Sequence, residues 1–596
     1  MAIVADLSGN GFGVELDRNN AKTFPLGVTP EQFGAVGDGV TDDTLALRAA
    51  ITGAGNGGVI EFKPGATYLL TGALTPRQGQ TWNGNGATLK RAAEVKTTTA
   101  SAIVKNVNGQ TITLSSVTGF SVGMDVTVFD GATSSTADNY NHRITALDAG
   151  AKTITVDTPF AKDFPSGGTV IRSFSQIDTT RTGTNVPDVT IKGLRFDGNQ
   201  AGNASLQWWW VNNEILAGGD RLKVLDCYIV NAQAEAIQCG GIGIEISRNW
   251  IKDCQGNGIH LSAATGGSNQ ARITGNYIKN CNLSGTLTGH ADGCIVLSNL
   301  VADTLVDGNY CENGIGGVSS INSNDNSDIT IANNTIRNCT QYAIGGLTSN
   351  DYVQNLIIEG NRCYSSGYIY LYSGGSPSAG VGPRRFIVTG NLLVLTWIRA
   401  LKCYDGVISG NNIYNVGDTT NNAVEVTSCQ GVVVQGNNIV GGNRNIVVAG
   451  TTNSKEILVT GNRCRDAYNQ GIALFDNDMV DCAANDNLVT VGSAFSPATS
   501  YVGILLGNGS TADGNRIDIG KNTSGHYGIQ CPNGGTNTLG AVVQNNIIRT
   551  LSSVPSIRLF GGAQNNIVDH NFIVQAIARG ADGAQPNTVS NNVTIY

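Results

Sequence analysis

The chain has 596 residues, of which 14% are charged, and its formal net charge is −8. With 45 acidic against 37 basic side chains and no Lys/Arg cluster, it offers no electrostatic footprint for nucleic acid or an anionic membrane. It has no run of eighteen apolar residues that would span a bilayer, and its 78 glycines with few Lys or Glu point to a turn-dense β protein rather than a helical one.

Residues 1–29 read as a short polar arm or attachment segment. The opening MAIVADLSGNGFG lacks a basic start followed by an apolar stretch, so no secretory signal is expected. Residues 30–101 hold a helix and the first coils of a repeating structure. In FGAVGDGVTDDTLALRAAI (33–51), Thr41 or Asp42 is placed to cap a helix with acids in its first turn. Leu47, Ala50 and Ile51 fall on one face of it. Such a helix would cover the open end of a solenoid, where apolar stacks and unpaired strand edges are otherwise exposed. Residues 102–174 break the repeat. Their runs TITL, DVTVF, HRITAL and KTITVD, set between Gly/Asp turns, predict a small inserted antiparallel β subdomain.

From 175 to 596 the coils resume, and an asparagine marks them. Asn-x-(Ile/Cys/Leu/Val), usually after Gly or Asn, recurs at Asn249, Asn276, Asn309, Asn334, Asn361, Asn391, Asn411, Asn437, Asn462, Asn487, Asn515, Asn546, Asn571 and Asn591. A repeat of this period without helical periodicity is the signature of a β-solenoid. Segments such as DITIANNTI (328–336) and GVVVQGNNI (431–439) alternate inward and outward as strands do. Each asparagine is expected at a bend, where it tolerates a left-handed backbone and bonds its equivalents as an amide ladder at the strand spacing of about 4.8 Å. Two residues on, Ile251, Ile278, Cys311, Ile336, Cys363, Leu393, Ile413, Ile439 and Cys464 should form an internal apolar stack.

The 13 cysteines follow the coil period, are odd in number and occupy positions where neighbours carry Ile. They read as reduced core residues, consistent with folding in a cytoplasm. No CxxC occurs, so no zinc site, other metal or cofactor is expected.

FGAVGDGVTDDTLALRAAI with GGVIEFKPGATY resembles the N-terminal signature of the pectate-lyase-like superfamily. The coil repeat carries that resemblance through most of the chain. It implies an all-β, right-handed, single-stranded parallel β-helix with a capping helix and an inserted β subdomain. In character the chain is most similar to bacteriophage tailspikes. That similarity implies a homotrimeric virion protein, folded in the host cytoplasm, beside other tail proteins. It would bind capsule or lipopolysaccharide and depolymerise it as a glycoside hydrolase or polysaccharide lyase. Two alternatives stay open: a non-catalytic structural or receptor-binding virion component, and a bacterial polysaccharide lyase or epimerase. The superfamily hosts many chemistries, so the fold does not choose among them.

Hydrolysis needs two carboxyls, and lyase chemistry needs a base with a cation for the uronate. Aligning the strand that follows each coil's first turn gathers Glu235, His260, His290 and Asp292 from three successive coils as catalytic candidates. DGCI at Asp292 resembles the acidic pair of the polygalacturonases, although the rest of that family's motifs are missing. A second group of substrate-binding candidates is Tyr370, Tyr372, Trp397, Arg399, Lys402 and Glu425, with Arg384 and Arg385 from the loop GGSPSAGVGPRR (374–385). Aromatic faces suit sugar rings, and arginine forks suit carboxylates. Trp208, Trp209 and Trp210 are read as either a carbohydrate platform or an interface with the inserted subdomain.

Overall fold

The computed structural model describes residues 27–594 outside 106, 108, 131–140, 181–184, 205–211, 263–267, 284–292, 299, 322–325, 346–352, 373–383, 451–453, 475–478, 493–500, 521–525, 532–539, 551–554, 560–564, 575–576 and 580–587. Trp208, Trp209, Trp210, His290 and Asp292 lie outside the described residues. The chain divides into two compact units, one ending at Ala234 and one beginning at Glu235.

In the first unit the helix runs Thr44–Ala54 and buries Leu47, Ala50 and Ile51, as the spacing predicts. Its start differs in detail. Asp43 is the N-cap position but makes no side-chain cap; its carboxylate folds back to accept Val36 N and Gly37 N. Asp42 Oδ1 instead accepts Thr44 N at 3.0 Å. No acid lies inside the first turn, because both aspartates precede it.

Parallel coils follow. Tyr68, Leu89, Phe196 and Ile229 stand in register and are fully buried. A separate antiparallel sheet of six strands spans Lys96–Thr98 to Thr169–Arg172. It closes its own core around Ile112, Val126, Val128, Ile154, Phe160 and Val170.

In the second unit each full coil has three parallel strands. Arg272–Thr274, Tyr277–Cys281 and Ile295–Ser298 make one such coil. The first strand pairs with first strands above and below, the second with second, the third with third. A side chain therefore meets its equivalents one coil away, and each inward column becomes a continuous apolar stack. The column Ile251, Ile278, Cys311, Ile336, Cys363, Leu393, Ile413, Ile439 and Cys464 forms as expected. Burying each such aliphatic side chain contributes about 1.5–3 kcal/mol.

The amide ladder also forms. Asn361 Nδ2 donates to Asn391 Oδ1 at 3.0 Å, and Asn391 Nδ2 to Asn411 Oδ1 at 2.9 Å. Two particulars differ from expectation. The left-handed residue is the one before the asparagine, as at Gly360, Gly390 and Gly410, with φ of 62°, 63° and 61°. This explains the Gly or Asn that precedes it in the repeat. The last rung is Asn592, which accepts from Asn571 Nδ2, whereas Asn591 takes the left-handed place with φ of 51°.

All thirteen cysteines are free and buried. Cys254 and Cys281 stack in register, as the spacing implied. Burial pushes the Cys239 thiol up to about 12, with the Glu235 carboxylate adding to the effect.

Candidate functional site

Third strands carry the site. Ile237 pairs with Ile259, Ile259 with Ile295, Ile295 with Val318 and Val318 with Ile344, all inward. The coil holding Val318 is an extra one, absent from the alignment made on sequence. Outward residues alternate with these. Gln238 stands beside His260, and His260 beside Val296.

His260 is held at both ring nitrogens. Nδ1 lies 2.8 Å from Glu235 Oε1, and Nε2 lies 2.6 Å from Ser298 Oγ. A carboxylate only accepts, so the ring proton belongs on Nδ1; this leaves Nε2 to accept the Ser298 hydroxyl proton. Glu235 is positioned in turn by Asn257, whose Nδ2 donates to Oε1 at 2.9 Å. Asn257 Oδ1 accepts from Gly293 N at 3.0 Å and from Asn282 Nδ2 at 3.2 Å. Glu235, His260 and Ser298 are 2%, 6% and 4% exposed. The arrangement is a base whose tautomer is fixed by an acid and whose free lone pair is aimed at a hydroxyl.

Of the four sequence-derived catalytic candidates, the structure brings Glu235 and His260 together. Ser298 and Asn257 were not foreseen. Neither belongs to a motif, and Ser298 is 38 residues from His260 in the chain. Only the coil register brings the two within reach.

The second group separates by face. Tyr370, Tyr372, Trp397, Arg399 and Glu425 all lie on third strands. Tyr370 stacks on Tyr372 at 5.6 Å between centroids and on Tyr342 at 5.9 Å. The Arg399 guanidinium lies 5.7 Å over the Tyr370 ring, and its Nε is 3.2 Å from Glu425 Oε1. Asn422 Nδ2 and Thr427 Oγ1 also donate to Glu425. Trp397 leans on Tyr368 at 5.3 Å, and Tyr368 donates its hydroxyl to Asn421 Oδ1. Burial raises the hydroxyl pKa of both Tyr368 and Tyr370, against the opposing effect of Arg399. Lys402 sits in the turn after Leu401, left-handed with φ of 56°.

Arg384 and Arg385 do not join this group. Arg384 bridges Gln354 and Tyr404 in the first-strand sheet and lies 5.2 Å over the Tyr404 ring. Arg385 Nη2 donates to Gln354 Oε1 at 3.0 Å. Tyr372 ends a third strand while Arg384 pairs in the first-strand sheet, so nearness in sequence does not put them on one face.

A further aromatic row was also missed. Trp250, Tyr277 and Tyr310 follow the ladder asparagine in three consecutive coils. Their centroids are 4.3 and 4.9 Å apart, and Trp250 is 48% exposed. The signal was there in the repeat, as an aromatic one place after each asparagine. Tyr277 and Tyr310 stack nearly parallel, at 3°, while Trp250 is tilted by 34° against Tyr277.

Coils of three parallel strands with an internal amide ladder define a parallel β-helix. Residues 29–260 match the family described as rhamnogalacturonase A/epimerase, pectate lyase-like, and residues 213–391 match the right-handed β-helix region. Neither match spans half of the chain; together with the coil geometry they show a right-handed parallel β-helix with pectate-lyase-like character in its N-terminal part. No curated protein matches it in sequence.

Among solved structures it is similar to pre-mature gene product 12 of bacteriophage phi29. Identity is 12%, with 94% of this chain and 67% of that one covered and a TM-score of 0.45. It is similar to the tailspike protein gp49 from Pseudomonas phage LKA1 at 14% identity, with 90% and 84% covered and a TM-score of 0.35. A third is the catalytic unit of a GH87 α-1,3-glucanase from Streptomyces thermodiastaticus, at 13% identity, 89% and 70% covered and a TM-score of 0.40.

Proposed function

We propose that this chain is a tailspike-type virion protein that binds bacterial surface polysaccharide, capsule or lipopolysaccharide, and processes it chemically. The observation that carries the reading is the Glu235–His260 pair, an oriented imidazole base on the third-strand face. That face also bears Tyr370, Tyr372, Trp397 and Arg399. Aromatic faces and a guanidinium suit a glycan with carboxylate groups. An acid locked onto a histidine supports proton transfer by imidazole rather than the two-carboxyl division of labour in glycoside hydrolysis. His290 and Asp292 remain proposed members of the same site, and Lys402 and Glu425 of the binding surface. The thirteen buried free thiols suit folding in a reducing compartment, here the host cytoplasm, before incorporation as a homotrimer beside other tail proteins.

The second reading is a receptor-binding component without catalysis. It is favoured by the near-complete burial of both Glu235 and His260. Size-exclusion chromatography of capsule and lipopolysaccharide glycans incubated with the purified chain tests the proposal. New low-molecular-weight products or released substituents support processing. A glycan that co-elutes with the protein and leaves it chemically intact supports the receptor-binding reading.

A further inference from the structure

The asparagine ladder explains the one buried polar position that recurs in coil after coil of the second unit: the same residue type, at the same place, bonded to its copy one coil away. The Glu235–His260–Ser298 chain is different. In register, His260 is flanked by Gln238 and Val296, and Ser298 by Ser262 and Ile321. None of these repeats the His or the Glu. Three different residue types from three successive coils bond to each other diagonally across the columns. A carboxylate and an imidazole are costly to bury, and apolar residues of similar volume would stabilise this face at least as well. The repeat therefore gives no structural reason for the arrangement.

The order of bonding supplies a chemical one. Glu235 accepts from His260 Nδ1, and His260 Nε2 accepts from Ser298 Oγ at 2.6 Å. Acid, imidazole and hydroxyl are joined in the sequence that activates a serine, a constellation that recurs on unrelated folds and is recognised by geometry rather than position. Asn257 adds the fixed support such a site needs. It holds Glu235 Oε1 while its own carbonyl oxygen is held by Gly293 N and Asn282 Nδ2.

We propose that Ser298, His260 and Glu235 form a nucleophilic triad, and that the chain is a serine esterase removing small O-acyl groups from the polysaccharide it binds. The substrate half of this proposal rests on the polysaccharide reading above; the nucleophile does not. Ser298 Oγ attacks the ester carbonyl carbon while His260 Nε2 takes the hydroxyl proton, and Glu235 stabilises the imidazolium. The carbonyl–oxygen bond to the sugar breaks, and the departing sugar oxygen takes the proton back from Nε2. Water then attacks the acyl-serine, giving its proton to His260. The acid is released, and the proton returns to Ser298 Oγ. Nothing beyond water is consumed. The enclosure of all three side chains favours a small acyl group such as acetyl.

The test uses the full chain with a fluorophosphonate probe, p-nitrophenyl acetate and O-acetylated capsule. The expected results are one phosphonyl adduct, mapped by peptide mass to Ser298, together with ester hydrolysis and acetate release. Ser298→Ala should abolish the adduct and lower hydrolysis by roughly a hundredfold or more, with an unchanged melting profile. Ser298→Cys keeps a nucleophile of similar size, and its introduced thiol should alkylate with iodoacetamide while the thirteen native thiols do not. Glu235→Gln should lower the rate and alter its pH profile, which a merely structural carboxylate would not do.

No adduct at Ser298, or hydrolysis unchanged in Ser298→Ala, overturns the triad. Adduct and small-ester hydrolysis without acetate release from any acetylated glycan that binds overturns the substrate half alone. Unsaturated-uronate products that persist in Ser298→Ala but vanish in His260→Ala overturn the esterase and leave His260 as a lyase base.

Discussion

Replacing Asn437 by alanine removes four hydrogen bonds at the centre of the amide ladder. Its Nδ2 donates to Ile408 O and to Asn462 Oδ1, both at 2.9 Å. Its Oδ1 accepts from Asn411 N at 3.0 Å and from Asn411 Nδ2 at 2.9 Å. The partners are not equal. Asn462 Oδ1 still accepts from Asn437 N, and Asn411 Nδ2 still donates to Val388 O. Only the Asn411 backbone N–H is left without a bond, inside a buried turn, because the Ile408 carbonyl stays in the parallel ladder with the Gln430–Gln435 strand. At about 1 kcal/mol for each bond whose partner stays satisfied and about 1–3 kcal/mol for each buried group left without one, the expected cost is roughly 4–6 kcal/mol. Asn438→Ala, one residue on, loses a single surface bond of 3.3 Å and is the control, with a cost within about 0.5 kcal/mol. Denaturant unfolding followed by tryptophan fluorescence, with hydrogen exchange of the Asn411 amide, reads both variants. Asn437→Ala indistinguishable from Asn438→Ala would refute the view that the ladder, rather than the apolar columns alone, holds the coils together.

Other consequences are equally direct. Burial raises Glu214 to about 7 despite its 3.2 Å pairing with Arg91. A carboxyl with a raised folded-state pKa destabilises the fold as pH climbs. The Glu214 contribution to stability should therefore be greatest below about 4.5 and fall by about 3 kcal/mol through pH 7, and Glu214→Gln should remove that part of the slope in pH-dependent melting. Arg172 is buried, its Nε and Nη2 make no hydrogen bond among the described residues, and burial with the nearby Arg91 lowers it to about 10. Arg172→Met should raise the melting temperature, by about 1–3 kcal/mol of added stability; a loss would mean the guanidinium is serving a partner. Arg399→Ala removes both the contact with Tyr370 and the ion pair with Glu425. Glycan affinity in calorimetric titration should weaken by roughly 3- to 30-fold, and unchanged affinity would place the binding surface elsewhere. A disulfide-exchange reagent should titrate no thiol in the native protein and all thirteen in guanidinium; fast native labelling would contradict their place in the core.

The repeat made the fold legible because a solenoid writes its tertiary contacts as sequence periodicity. Ile251, Ile278 and Cys311 are neighbours in space for the same reason that they recur in the chain. Finer errors came from positions where two residues compete for one role. Gly or Asn before the ladder residue takes the left-handed turn, and Asn592 displaces Asn591 as the last rung. The site was only half legible. His260 stands out as a rare ionisable residue on a third strand, and Glu235 as one just before the neighbouring third strand. Ser298 carries no motif, and its bond to His260 runs diagonally, two places along from the residue that pairs with the histidine. Arg384 and Arg385 stand apart from the tyrosine group for a topological reason, since Arg384 pairs in the first-strand sheet. The aromatic row at Trp250, Tyr277 and Tyr310 was written in the repeat itself, one place after the asparagine.

The central claim is that His260, oriented by Glu235, does chemistry on a bacterial surface glycan. The most direct measurement incubates the chain and its His260→Ala variant with capsule and lipopolysaccharide glycans, following released acetate, unsaturated uronate and new reducing ends together. A product made by the native chain and lost in His260→Ala, with glycan binding retained, is the predicted result. A product formed equally by both proteins, or a bound glycan that neither protein changes, would contradict it.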